Sequence, residues 1–150
     1  MAAAVVARRE IIAEPEVVWA TLVDVDRWPR ILTSLASLQR LEGTGLEPGV
    51  RWRENRPILG LTATYEVTVT DVQPVVGFTL SAAFDDATVR TTYRLGPSSL
   101  GTRLEASVEA DAAGVALTKR LRSVIAIGGP RIAREVADRD LADFQAAMRP

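Results

Sequence analysis

From Val50 to Ala110 the chain alternates apolar and polar residues with a period of two. Leu61, Ala63, Tyr65, Val67 and Val69 fall on one side, and Thr62, Thr64, Glu66, Thr68 and Thr70 on the other. The same alternation sets Phe78, Leu80, Ala82 and Phe84 against Thr79, Ser81 and Ala83. Val89, Thr91, Tyr93 and Leu95 oppose Thr88, Arg90, Thr92 and Arg94, and Leu104, Ala106, Val108 and Ala110 oppose Arg103, Glu105, Ser107 and Glu109. This period predicts half-buried antiparallel strands. Turn residues at Pro57–Gly60, Gln73–Gly77, Asp85–Thr88 and Gly96–Gly101 divide the run into hairpins. One register places Trp52 opposite Tyr65, Tyr65 opposite Ala82, Ala82 opposite Thr91, and Thr91 opposite Val108. On the other face it sets Arg51 against Glu66, Thr68 against Thr79, Arg94 against Glu105 and Arg90 against Glu109. Facing opposite charges and threonine pairs favour such a ladder.

Two other patterns flank the meander. Residues 4–13 predict a first strand, with Val5, Ala7, Arg9 and Ile11 on one side and Val6, Arg8, Glu10 and Ile12 on the other. Both sides carry apolar residues, so the pattern does not choose the inner one. Glu14-Pro15 opens a helix, because proline at the first helical position loses no hydrogen bond. Val18, Trp19 and Leu22 follow at helical spacing. Asp26–Leu32 predicts a second short helix, with Asp26 as its cap and Asp24 at the junction. A strand is expected from Leu35 to Leu41, then a loop carrying Gly43, Gly45, Pro48 and Gly49. From Val115 the period becomes helical through Leu117, Leu121, Val124, Ile125, Ile132 and Val136, with a kink expected at Gly128-Gly129-Pro130. The charged residues from Arg131 to Asp140 read as solvated helix surface.

Composition narrows the chemistry. The 150 residues suit one domain, and a net charge of -1 gives no general attraction to nucleic acid or anionic membrane. No apolar run reaches the roughly 20 residues of a membrane span. The apolar start, Met1–Ala7, reads as strand rather than signal peptide, and a cytoplasmic protein is expected. The chain has no cysteine, so thiolate catalysis and disulfides are excluded. It also has no histidine, which removes the commonest general base and most transition-metal sites. No cofactor or metal is expected.

The element order and the residues Pro15, Val18, Trp19, Leu22, Asp24, Trp28 and Pro29 resemble the START-like superfamily, also called SRPBCC or Bet v 1-like. Gly49–Pro57, Ala63–Val67, Thr91–Leu95 and Gly101–Leu104 are similar to strands of its polyketide cyclase/dehydrase group of small bacterial proteins. The resemblance covers nearly the whole chain. It implies an α+β helix-grip fold: a seven-stranded antiparallel sheet wrapped around a long C-terminal helix, two short helices between strands one and two, and an enclosed cavity. Members bind hydrophobic small molecules, some catalyse cyclisation or dehydration, and others serve protein assembly. Fold alone does not choose among these.

The register supplies a candidate cavity. Small residues recur on the concave face (Ala63, Ala82, Thr91, Ala106, Ala110), which leaves room that a packed core would fill. Trp52, Tyr65, Phe84, Thr91 and Tyr93 are candidate ligand-binding residues on the sheet, and Leu117, Leu121 and Val124 on the helix. Core packing is the competing reading for the aromatics. Glu54 and Arg56 share the parity of Trp52 and point inward, where an unpaired charge is costly. They are read either as an ion pair at the cavity mouth or as ligand contacts. In the second reading a desolvated Glu54, with Tyr65 or Tyr93, transfers protons in a cyclase or dehydratase. Binding or transport of a lipid or polyketide-like molecule, such an enzyme, and a ligand-free interaction module are the three functions left open.

Overall fold

A computed structural model describes residues 3–58, 61–84, 87–112 and 130–149. The elements follow the order β1 (Ala3–Ile11), α1 (Pro15–Val23), a 3-10 turn (Val25–Arg27), α2 (Trp28–Ile31), β2 (Ser37–Glu42), β3 (Arg51–Ile58), β4 (Leu61–Gln73), β5 (Gly77–Phe84), β6 (Ala87–Ser98), β7 (Gly101–Ala112) and α3 (Pro130–Ala147). The described strands form one antiparallel sheet in the order β1-β7-β6-β5-β4-β3-β2. The expected helix-grip arrangement is present, with α3 packed against β1 and β7 and contacting both short helices. Gly128 and Gly129 of the expected kink lie outside the described residues.

The alternation becomes two faces. Trp52, Val67, Val69, Phe78, Leu80, Tyr93, Leu104 and Ala106 are buried together with Val18, Leu22, Trp28 and Leu32 of the short helices and Leu141 and Phe144 of α3. On β1 the inner side is that of Val5, Ala7 and Ile11, whereas Ile12 is 81% exposed. Trp28 is the hub of an aromatic cluster. Its ring lies 5.8 Å from Trp52 and 5.7 Å from Phe144, both edge to face, and its indole N–H donates to the Leu22 carbonyl at 3.0 Å. Edge-to-face pairs of this kind add about 0.5–1.5 kcal/mol each beyond the area they bury.

The register differs from expectation in three hairpins of four. Between β6 and β7 it is as expected, with Thr91 opposite Val108, Arg90 opposite Glu109 and Arg94 opposite Glu105. Elsewhere it is shifted by two residues. Trp52 faces Val67 and Glu54 faces Tyr65; Val67 faces Ala82; Ala82 faces Val89 and Leu80 faces Thr91. The strands run closer to their turns than the turn residues imply, pairing through Ile58–Leu61 and Phe84–Ala87. A slip of two keeps every side chain on its face, so the alternation cannot detect it. Arg51 therefore reaches Glu66 diagonally, at 2.7 Å, and Thr68 faces Ser81. A bulge between Val69 and Asp71 shifts the β4–β5 ladder by one residue towards its turn.

The expected caps are also corrected. Neither Asp24 nor Asp26 makes a side-chain capping bond; α2 follows the 3-10 turn directly, and Asp26 accepts from Arg40 Nε at 2.7 Å. That ion pair ties the helix junction to β2.

Candidate functional site

Three inward positions of β3 carry Trp52, Glu54 and Arg56, because strand parity sends alternate residues to one face. All three are buried. Glu54 accepts three hydrogen bonds: from Trp52 Nε1 at 2.8 Å to Oε2, and from Tyr65 Oη at 2.9 Å and Arg56 Nε at 3.2 Å to Oε1. Tyr65 can reach Glu54 because the two-residue shift sets them directly opposite. The Arg56 guanidinium meets a second carboxylate, that of Asp140 on α3, with Nη1 3.1 Å from Oδ2. Ser34, in the segment between α2 and β2, accepts from Arg56 Nη1 and donates to Asp140 Oδ1 at 2.5 Å. One turn further along α3, Asp143 accepts from the backbone N–H and the hydroxyl of Thr33, each at 2.8 Å. These bonds dock α3 on the helix–β2 connection at the same place where they complete the buried polar cluster.

Asp140 was expected on solvated helix surface; it is 4% exposed. It shares a face with Ala137, Leu141 and Phe144, all buried. Its place in an apolar stripe was the available signal, and the surrounding charges of α3 masked it. Ser34 gave no signal at all, since a serine in a connecting segment has many ordinary uses.

The cluster forms one end of a cavity between the sheet and α3. The cavity offers about 120 Å³ to the centre of a water-sized sphere. A single water needs only about 10–15 Å³ on that scale, so there is room for a small organic molecule. Among the described residues, Val67, Leu80, Val89 and Val108 line it from the sheet, and Ile132 and Val136 from α3. Of the residues singled out from sequence, Glu54, Arg56, Tyr65, Thr91 and Tyr93 line the cavity. Trp52 is fully buried and does not line it; it contributes through its bond to Glu54. Phe84 ends β5, and only its backbone is described. Leu117, Leu121 and Val124 lie outside the described residues. Trp28, the hub of the aromatic cluster, joins the lining as well.

Burial shapes the protonation states. By itself it would lower the Arg56 pKa, but Tyr65 and the carboxylates of Asp140 and Glu54 more than offset it, and the guanidinium stays charged. Burial, and then the Glu54 charge, push the Tyr65 phenol well above its usual range. Burial, followed by Asp140, does the same to Tyr93. Both phenols are therefore held as donors. Burial raises the Asp140 carboxyl above its usual value of 3.8, against the opposing pull of Arg56 and Ser34. Among the described residues no group of three or more acidic side chains is arranged to hold a metal ion, and no helix is long and apolar enough to cross a membrane.

Known proteins agree with this architecture. The chain superposes on ginseng major latex-like protein 151 from Panax ginseng with a TM-score of 0.80 and 10% identity, covering 100% of this chain and 99% of that one. For TTHA0849 from Thermus thermophilus the TM-score is 0.76 with 18% identity, covering 97% of each chain. For the Zhui aromatase/cyclase from Streptomyces it is 0.69 with 16% identity, covering 99% of this chain and 92% of that one. At such identities the likeness concerns the fold. No curated protein matches the sequence. The family described as "Polyketide cyclase / dehydrase and lipid transport" matches residues 2–148, nearly the whole chain, and the protein belongs to that family.

Proposed function

We propose that this protein binds an apolar small molecule, lipid- or polyketide-like, in the cavity between the sheet and α3. The observation that carries this reading is the combination of an apolar wall with one buried polar end. Val67, Leu80, Val89, Val108, Ile132 and Val136 supply the wall, and Glu54, Arg56, Tyr65, Tyr93 and Asp140 the polar end. Apolar space with a few fixed polar groups is the usual form of a small-molecule site, because burial drives binding and the polar groups set orientation. The family description, which includes lipid transport, supports the same reading.

Native mass spectrometry of the purified protein, followed by denaturing extraction, tests it. A stoichiometric apolar adduct is expected. A bare mass that persists after incubation with fatty acids, sterols and aromatic polyketides would overturn the proposal and favour a protein-interaction role.

A second reading, cyclase or dehydratase chemistry in the same cavity, is favoured by Asp140 and Tyr93. Both line the cavity, and burial holds the proton on Tyr93 and raises the Asp140 carboxyl above its usual value. Glu54 is less suited to proton transfer than its parity suggested, since three donors already occupy it. If the protein is an enzyme, Asp140→Asn abolishes turnover while ligand binding persists, and Glu54→Gln has the smaller effect.

A further inference from the structure

The charge of the cavity's polar end narrows the class of ligand. Among the described lining residues the charged groups are Glu54, Asp140 and Arg56, two carboxylates and one guanidinium. The guanidinium is committed to both carboxylates, through Nε to Glu54 at 3.2 Å and Nη1 to Asp140 at 3.1 Å. Glu54 receives two further donors, from Trp52 and Tyr65, and Asp140 one, from Ser34. Tyr93 differs: it is 5% exposed, lines the cavity, and its hydroxyl makes no hydrogen bond among the described residues. A phenol can donate to a carbonyl or accept from a hydroxyl.

Building on the binding function proposed above, we infer that the cavity selects a neutral apolar molecule bearing a hydroxyl or carbonyl oxygen, which meets Tyr93, and discriminates against anionic carboxylates. The reasoning is electrostatic. A ligand carboxylate at this end would lose its water and face two carboxylates whose one facing cation among the described residues is already shared between them. In a low-dielectric cavity this repulsion is poorly screened. A ligand ammonium fares little better, because it needs several acceptors and most of the carboxylate lone pairs are already occupied. A neutral oxygen needs one partner and finds the Tyr93 hydroxyl. The reading separates this protein from carriers of free fatty acids, whose ligand ends in a charge.

Naphthol, acetonaphthone, naphthoate and naphthylmethylammonium share a ring system and differ at the polar end. Calorimetric titration of the full chain with each, at neutral pH, tests the inference. Naphthol and acetonaphthone should bind at least about tenfold more tightly than naphthoate, a gap of roughly 1.4 kcal/mol. Asp140→Asn removes one of the two negative charges, so it should narrow the gap between naphthol and naphthoate several-fold. Tyr93→Phe should weaken naphthol and acetonaphthone more than naphthoate. Naphthoate or the ammonium binding as tightly as naphthol to the unaltered protein would overturn the inference, and that comparison needs no variant to fold. Failure of all four probes, and of the extraction experiment, would instead remove the binding proposal on which it rests.

Discussion

Removing the Arg56 side chain's charge would strand two buried carboxylates without their cation. The guanidinium stands 3.2 Å from Glu54 and 3.1 Å from Asp140, and all three residues are buried. At an effective dielectric of about 20, each contact is worth roughly 5 kcal/mol of attraction before desolvation is counted. Desolvation takes back most of it, so the net value of the triad against an apolar replacement of all three is small. Arg56→Met does something different. It removes the cation and leaves two carboxylates buried without it, a change that costs about 3–5 kcal/mol. The variant should then relieve itself by binding protons. Burial already raises the Asp140 carboxyl and Arg56 opposes that rise, so without Arg56 the folded state holds more protons than the unfolded state, and stability falls as pH rises through that window. Urea denaturation followed by tryptophan fluorescence measures this. The loss relative to the unaltered protein should be several kcal/mol at neutral pH and distinctly smaller near about pH 5, where a raised carboxyl retains its proton. A loss under about 1 kcal/mol, or one equal at both pH values, would refute the account of the cluster as a desolvated ion triad.

Other perturbations test other parts. Ala82→Leu adds side-chain volume at a cavity-lining position; it should keep or raise stability, by up to about 0.8 kcal/mol per methylene that packs, while apolar probe binding falls at least tenfold in the same titrations. Asp140→Asn removes a group whose pKa is raised from 3.8, so the variant's stability should decline less than the native protein's as pH rises above that value, as pH-dependent urea midpoints would show. Val75 occupies the third position of the Gln73–Val76 turn with φ of 67°, a region that burdens a β-branched side chain, and Val75→Gly should raise the unfolding free energy from urea denaturation by up to about 1 kcal/mol. Gly101 has φ of 141°, and a Cβ there would sit 2.7 Å from the carbonyls of Ile11 and Ala13; Gly101→Ala should cost at least about 2 kcal/mol by the same assay.

Local pattern determined a large part of this molecule. A period of two assigned the faces of β3 to β7, because alternate side chains of a strand must point to opposite sides. Hence Glu54, Arg56, Tyr65, Thr91 and Tyr93 could be named as inward-facing, and they line the cavity. Proline at the start of α1 and the helical spacing of Val18 and Leu22 placed the first short helix. What remained open was whatever depends on distance across the chain. A ladder slipped by two residues has the same faces, so only the closed hairpin decided that Tyr65 meets Glu54 rather than Trp52. β1 carried apolar residues on both sides, and packing against α3 and β7 decided which is inner. The polar end was the least legible feature. Arg56 and Asp140 stand 84 positions apart, and Ser34 joins them from a third segment. Charge on a helix reads locally as solvated surface. Only tertiary packing determines which charged residue is taken out of water, because a buried carboxylate is tolerable only where a distant partner meets it.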